Sequence, residues 1–325
     1  MIRQFETADL AAVTALWNET LTADKLTADK LRTQLLCDDN FDPALFLLHE
    51  AAGSLLGFAV GIVRRVPYYE RGLQQGTGWL LAFGTAPYAR KAGVADGLLA
   101  ELENRLALRG VTQLVVGLYS PGYFMPGVDT AQYAAAERLL RHRGYRFGAQ
   151  HSAMARTLFN YTVPEEVQKK RTHAEALGYR FMRCPGSRAG ELIVFLKQWF
   201  TAGWVHNAEQ LLQAGLLCRQ TWLCIDPAGQ VAGFAGRGMG GQACRFGPFG
   251  VRPDCRNLAL GSILLCEMLY DMSCEGLYLA YFMTTDAPGA RLYARHGFAA
   301  YRSFAECSAR LPLSGETGAR HPVGA

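Results

Sequence analysis

Lysine is scarce in this 325-residue chain: it supplies six of the 33 basic residues, and arginine the rest. No block of five or six like charges occurs, which argues against a charged tail of the nucleic-acid-binding kind. No apolar run reaches the roughly 18 residues that span a bilayer. The opening MIRQFETADLAAV lacks a basic stretch followed by an apolar core of the secretory type. The expectation is therefore a cytoplasmic protein with neither a membrane nor a nucleic-acid partner. Nine cysteines occur without a Cys-x-x-Cys pair. Their odd number and spacing speak against a metal site or a disulfide framework, so none is expected. Reduced thiols are expected, several of them acting as small core hydrophobes. Apolar residues are abundant at 50%, against 19% charged. That excludes a wholly disordered chain and fits two domains or one large α/β domain. The net charge of +5 would suit an anionic small ligand, but ordinary surface solvation accounts for it more simply.

The chain repeats itself, which is the most informative feature. LLGFAVGIV, WLLAFGTAPYARKAGVADGLLAEL, QLVVGLY and AAERLLRHRGY return in the same order as VAGFAGRG, CRFGPFGVRPDCRNLALGSILLCEM, LYLAYFM and GARLYARHGF. The offset falls from 176 (Gly57 to Gly233) through 166 (Phe83 to Phe249) to 153 (Gly144 to Gly297). The first copy thus carries two insertions, about 10 residues at 68–77 and 13 at 120–129.

Each copy reads as mixed α/β. IRQFE is a short strand, followed by a helix with a Thr7 cap candidate. FLLHEAAGSLLGFAVGIV is a hairpin with Gly53 in its turn, and TWLCIDPAGQVAGFAGRG is one turning at residues 226–229. WLLAFGT is a nearly continuous apolar run, as a strand covered on both faces requires. Val94, Leu98, Leu102 and Leu106 mark an amphipathic helix ended by Gly110. In the second copy, helices are expected over residues 190–200 and 207–214. Residues 1–160 form the first expected domain, 161–178 a helical connector, 179–311 the second domain and 312–325 a disordered tail.

The chemistry concentrates where the fourth strand of each copy runs into its helix. Arg90-Lys91-Ala92-Gly93-Val94-Ala95 and Arg256-Asn257-Leu258-Ala259-Leu260-Gly261 are turns of mostly small residues, each three residues after a proline. Such a turn exposes unpaired N–H groups at the positive end of a helix, which makes a pyrophosphate cradle. A Cβ there would block close approach of phosphate oxygens, and the arginine adds charge at the rim. Close helix–strand packing is the other use of small residues at this place.

Strand, R/Q-x-x-G-x-G/A, helix, strand and a helix ending L-Y-x-x-x-G-F resembles the GCN5-related N-acetyltransferase family. The second copy carries VRPDCRNLALG and ARLYARHGF, the first TAPYARKAGVA and ERLLRHRGY. The resemblance covers nearly the whole chain apart from connector and tail. It implies an α/β (α+β, mixed-sheet) fold of two tandem acyl-CoA N-acyltransferase domains, with acetyl-CoA as cosubstrate. The family's cofactor contacts fall on Phe249, Gly250 and Val251 of the strand and on Arg256, Asn257, Leu258, Ala259, Leu260, Gly261 and Ser262 of the turn. In the first copy they fall on Phe83, Gly84, Thr85 and on Arg90, Lys91, Ala92, Gly93, Val94, Ala95 and Asp96. The family's tyrosine, which protonates the leaving thiolate, is Tyr293 in the second copy and Leu140 in the first. Ala259 stands where the turn's first glycine is expected. Chemistry is therefore expected in the second copy.

Asp286 lies seven residues before Tyr293 and is either the base or amine anchor, or a helix N-cap. His296 is expected to be exposed in the turn closing the last helix. The inserted SPGYFMPGVDT offers Tyr123 and Phe124 for stacking on a sugar ring and Asp129 for an ammonium, or it is a packed surface loop. The expected acceptor is a small-molecule primary amine, best an amino sugar such as glucosamine or a glucosaminide end of cell-wall or chitin fragments. Aminoglycosides, polyamines, amino acids, protein N-termini and a CoA-sensing module without turnover are the alternatives. A monomer or a homodimer is expected.

Overall fold

A computed structural model describes residues 1–122 and 124–312. Tyr123 and most of the expected tail, residues 313–325, lie outside the described residues. No described helix is long and apolar enough to cross a membrane. All nine cysteines are unpaired, and Cys184, Cys224, Cys255, Cys266 and Cys307 are buried.

Two compact units form, Met1–His151 with Ser303–Ala325, and Ser152–Arg302. The first contains β1 (Ile2–Gln4), α1 (Leu10–Thr20), α2 (Ala28–Leu31), β2 (Phe46–Ala51), β3 (Ser54–Val63), β4 (Thr77–Thr85), α3 (Val94–Ala107), β5 (Gln113–Val116) and α4 (Ala134–His142). Strand β6 (Arg146–Thr157) follows and ends in the second unit. There it is followed by α5 (Glu165–Ala176), β7 (Arg180–Arg183), α6 (Ala189–Trp199), α7 (Ala202–Gln213), β8 (Thr221–Ile225), β9 (Val231–Arg237), β10 (Phe246–Val251), α8 (Leu260–Cys274), β11 (Leu279–Phe282) and α9 (Ala287–Arg295). The last strand, β12 (Ala299–Arg310), returns to the first unit.

In the first unit β1 to β4 form an antiparallel meander, and β4 pairs in parallel with β5. The far side of β5 takes β12, with Ser308 opposite Val115 and Arg310 opposite Gln113. In the second unit β7 to β10 form the corresponding meander, and β11 pairs with β6, Leu279 opposite Thr157 and Phe282 opposite Met154. The closing strand of each repeat thus completes the sheet of the other unit. Sequence periodicity marks where strands are but not which partner they take, and this exchange was not expected.

Local chemistry explains most elements. The β2–β3 turn places Ala52 and Gly53 at φ 50° and 74°, the left-handed pair that suits a two-residue hairpin. The β8–β9 turn is tied by Gly229 N–H to Asp226 O and by Gln230 N–H to Asp226 Oδ1, both 2.9 Å. On α3 the buried residues include Val94, Leu98, Leu102 and Leu106, the spacing that one apolar helix face demands. Gly57 and Gly233 lie beneath the corresponding helices. A Cβ on Gly57 would sit 2.9 Å from Leu98, and one on Gly233 3.0 Å from Leu264. Thr7 is not the first cap. The chain turns into a helix at Thr7 itself, and the Asp9 carboxylate accepts the Glu6 N–H at 2.8 Å. Helix α7 begins at Ala202, five residues before its expected start, which takes Trp204 into the helix.

Candidate active sites

Both units open their sheets at the same place. The β4–β5 ladder runs from Thr77 opposite Gln113 to Leu80 opposite Val116 and then ends, while β4 continues to Thr85. Between β10 and β11 the pairing is a single parallel bridge, Arg245 opposite Tyr281. Those two residues lie 166 positions beyond Trp79 and Val115, which pair in the first unit. The ladder with the preceding strand also skips in both: between Leu80 and Ala82 on β4, and between Phe246 and Phe249 on β10. Each bulge re-aims the strand beside the gap. Main-chain groups of residues 83–85 and 249–251 therefore border a cleft that no strand fills among the described residues.

Each cleft leads to its helix N-terminus. In the first unit residues 87–92 form a 3-10 turn, Gly93 takes φ 69°, and the first bond of α3 is Gly97 N–H to Gly93 O at 3.0 Å. In the second, Asn257 and Ala259 take φ 71° and 61°, and the first bond of α8 is Ile263 N–H to Ala259 O at 3.1 Å. The N–H groups of Val94 to Asp96 and of Leu260 to Ser262 precede the helical ladders and lack helical acceptors. Arg90, Lys91, Ala92, Gly93, Arg256 and Asn257 are exposed. The Thr85 hydroxyl, on the strand bordering the first cleft, is buried without a hydrogen-bond partner. A bound polar group would satisfy it.

The units differ beyond the turns. Tyr293 lies on α9 among Phe246, Phe249, Phe282 and Phe298, at ring-centre distances of 6.2, 5.6, 4.2 and 5.5 Å. Burial foremost, and then the nearby Asp286 carboxylate, push its phenol above the usual range. Leu140, the corresponding residue on α4, has no exposed surface and belongs to the first core. Asp286 is exposed and caps α9, its Oδ1 accepting Gly289 N–H at 2.9 Å. That bond leaves the second carboxylate oxygen uncommitted in the cap. His296 is not freely exposed. Its Nε2 lies 3.0 Å from Ser262 Oγ and its Nδ1 3.6 Å from Cys266 Sγ. Burial, Arg156, Arg295 and Lys170 lower its pKa, against a raising contribution from Glu166.

The two insertions of the first copy meet on Arg64. Its Nε donates to Gln74 Oε1 at 2.9 Å and its Nη2 to Ser120 O at 2.6 Å. The guanidinium lies over the rings of Tyr68, Trp79 and Tyr119 at 4.7, 4.9 and 4.8 Å. Phe124 leans on Trp17 at 5.6 Å, and Asp129 is buried, its Oδ1 accepting Gln132 N–H at 3.0 Å. A packed loop is the description these two residues fit. Phe200 and Trp204 were not singled out from the sequence. They lie behind Gly250, where a Cβ would come within 2.4 Å of Phe200 and 3.2 Å of Trp204. The signal that could have found them is Phe234, 176 residues after Phe58, whose aromatic neighbours must repeat if the core does.

No protein-family model matches the sequence, and no curated protein matches it either. Solved structures do. A GCN5-related glucosamine N-acetyltransferase region of a fungal multi-domain β-N-acetylglucosaminidase superposes with a TM-score of 0.78 at 18% identity. The match covers 95% of this chain, which spans only 38% of that one. A GCN5-related N-acetyltransferase from Sphaerobacter thermophilus gives 0.67 at 17% identity, over 96% of this chain and 95% of that one. A tandem protein of this type from the clavulanic acid biosynthesis pathway gives 0.62 at 16%, over 96% and 98%. The fold is that of the GCN5-related N-acetyltransferases, in its tandem form.

Proposed function

We propose that this chain is an acetyl-CoA-dependent N-acetyltransferase, that its second unit carries the reaction, and that the acceptor is the primary amine of a small molecule, an amino sugar. The observation that carries this reading is the placing of Tyr293 beside Phe249, on the strand that borders a cleft leading to bare helix amides. The turn from Arg256 to Ser262 would hold the coenzyme's diphosphate through those N–H groups. Residues 249–251 would pair with its pantetheine arm. The amine lone pair attacks the thioester carbonyl and forms a C–N bond. Collapse of the tetrahedral adduct breaks the C–S bond, and the thiolate takes the phenolic proton of Tyr293. A phenol pushed above its usual pKa stays protonated at neutral pH and can donate. The amine's own proton leaves to water or to the free oxygen of Asp286. An amine is mostly protonated near pH 7, so the neutral fraction reacts.

The amino sugar is proposed because the fungal region with this fold over 95% of the chain is a glucosamine N-acetyltransferase region. Mixing the protein with acetyl-CoA and glucosamine and following free thiol tests the reading. Thiol release that depends on the amine supports it, and none with any of the amines considered above refutes it. Leu140 favours a different role for the first unit, binding the coenzyme through Gly93 to Asp96 and Thr85 without transfer. Calorimetry that finds two CoA per chain supports this, and one CoA per chain overturns it.

A further inference from the structure

The aromatic cluster beneath the cofactor strand is built twice, closed in one unit and open in the other. Phe58 pairs with Gly84 and Phe234 with Gly250, the same register in each copy. In the first unit Trp17 stacks on Phe58 at 5.3 Å and 11°, and Phe124 of the second insertion covers Trp17. Trp17 and Phe58 are 1% and 0% exposed. In the second unit Phe200 and Trp204 stack at 4.6 Å and 17°, each edge-on to Phe234 at 5.7 Å. Here no inserted loop exists. Residues 283–286 join β11 to α9, where residues 117–133 join β5 to α4. Phe200 and Trp204 accordingly remain only half-buried.

Alternation along β10 fixes which way each group faces. Phe249 and Val251 lie towards α8, near Gly261, and Phe249 touches Tyr293. Gly250 faces the other way, onto Phe200 and Trp204. A thioester beside this strand, with its sulfur towards Tyr293, would have the aromatic pair next to it on the opposite face of β10.

We infer that the stacked Phe200–Trp204 pair is the acceptor platform of the second unit and selects a ring with one apolar C–H face, a pyranosyl amine, over an open-chain amine of the same charge. This rests on the proposed acetyltransferase reading. A flat π face covers such a ring well and offers an acyclic polyol little.

The test compares glucosamine with its open-chain counterpart, the 2-amino-2-deoxyalditol, as acceptors, using the full chain. The cyclic amine should be the better substrate by roughly tenfold in kcat/KM, the scale of one stacking contact. Trp204→Leu should raise the glucosamine KM by about as much while leaving the acetyl-CoA KM within about twofold. Trp204→Phe keeps a ring and should restore most of the loss. In the unmutated protein, saturation transfer from indole protons should reach the sugar ring protons, a readout that needs no variant to fold. Transfer to no amine overturns the proposed function and this platform with it. Equal use of the cyclic and open-chain amines, an acceptor KM unmoved by Trp204→Leu, or no saturation transfer to the ring overturns the platform alone.

Discussion

The two units share a strand register, a bulge and a helix N-terminus, yet differ at three places beside their clefts. The first has Gly93 in its left-handed turn position, Leu140 on its last helix, and an aromatic pair sealed by Phe124. The second has Ala259, Tyr293 and the half-open Phe200–Trp204 pair. The first has the better-relaxed turn and a leucine where the second has a tyrosine. The second accepts backbone strain at its turn and keeps a phenol and a half-open aromatic pair. On the proposed function one scaffold would do two jobs, and the side chains rather than the backbone would separate them.

The sharpest way to break this contrast is Tyr293→Phe. It should lower kcat by about 10²- to 10³-fold while CoA affinity holds, since only a proton donor is lost. Because its pKa lies above the usual range, the phenol keeps its proton throughout neutral pH. The wild-type kcat should therefore show no alkaline loss from Tyr293 below about pH 10. A loss in that window that vanishes in Tyr293→Phe would show that the phenol ionises lower than its burial implies, whereas a kcat unchanged in Tyr293→Phe would refute the proton-donor assignment. Next in size is Leu140→Ala, which leaves a cavity in the first core. It should cost about 2–5 kcal/mol in denaturant unfolding and leave the chemical step unchanged. A comparable fall in kcat at full folding would move the chemistry to the first unit.

Arg64→Ala should release both insertions by removing charge-assisted bonds to Gln74 and Ser120. A stability loss of about 1.5–3 kcal/mol is expected, read from the unfolding midpoint, with glucosamine turnover retained. The smallest effect belongs to the turns. Ala259→Gly should stabilise by about 1 kcal/mol, and Gly93→Ala should destabilise by about as much, because an L side chain at φ near +60° is strained. Calorimetric unfolding measures both. An unchanged midpoint in the Ala259 variant would mean that its turn relaxes at no cost.

Much of this was legible in residues. Hydrophobic period placed β2, β3, β4 and α3, and the repeat offset of 166 holds through the strand, bulge and turn of both clefts. The duplicated turn and the Leu140–Tyr293 difference were also readable, because they sit in contiguous motifs. What escaped depends on distant pairing. The exchange of β6 and β12 leaves no local mark, since either copy's closing strand has a pattern that fits either sheet. His296 was misjudged because its partners, Ser262 and Cys266, lie on another helix. Trp204 lies in the first turn of α7, where Gly203 weakens the helical signal although Thr201 is a cap-type residue.

The returning β12 has a consequence for how this molecule can be taken apart. Severing the chain between the repeats would leave each half holding a closing strand meant for the other, and each lacking its own sheet's margin. Two such halves made separately should fold poorly, and mixing them should recover what neither has alone. The tandem arrangement is therefore covalent insurance: the linkage keeps a mutual loan of strands inside a single molecule.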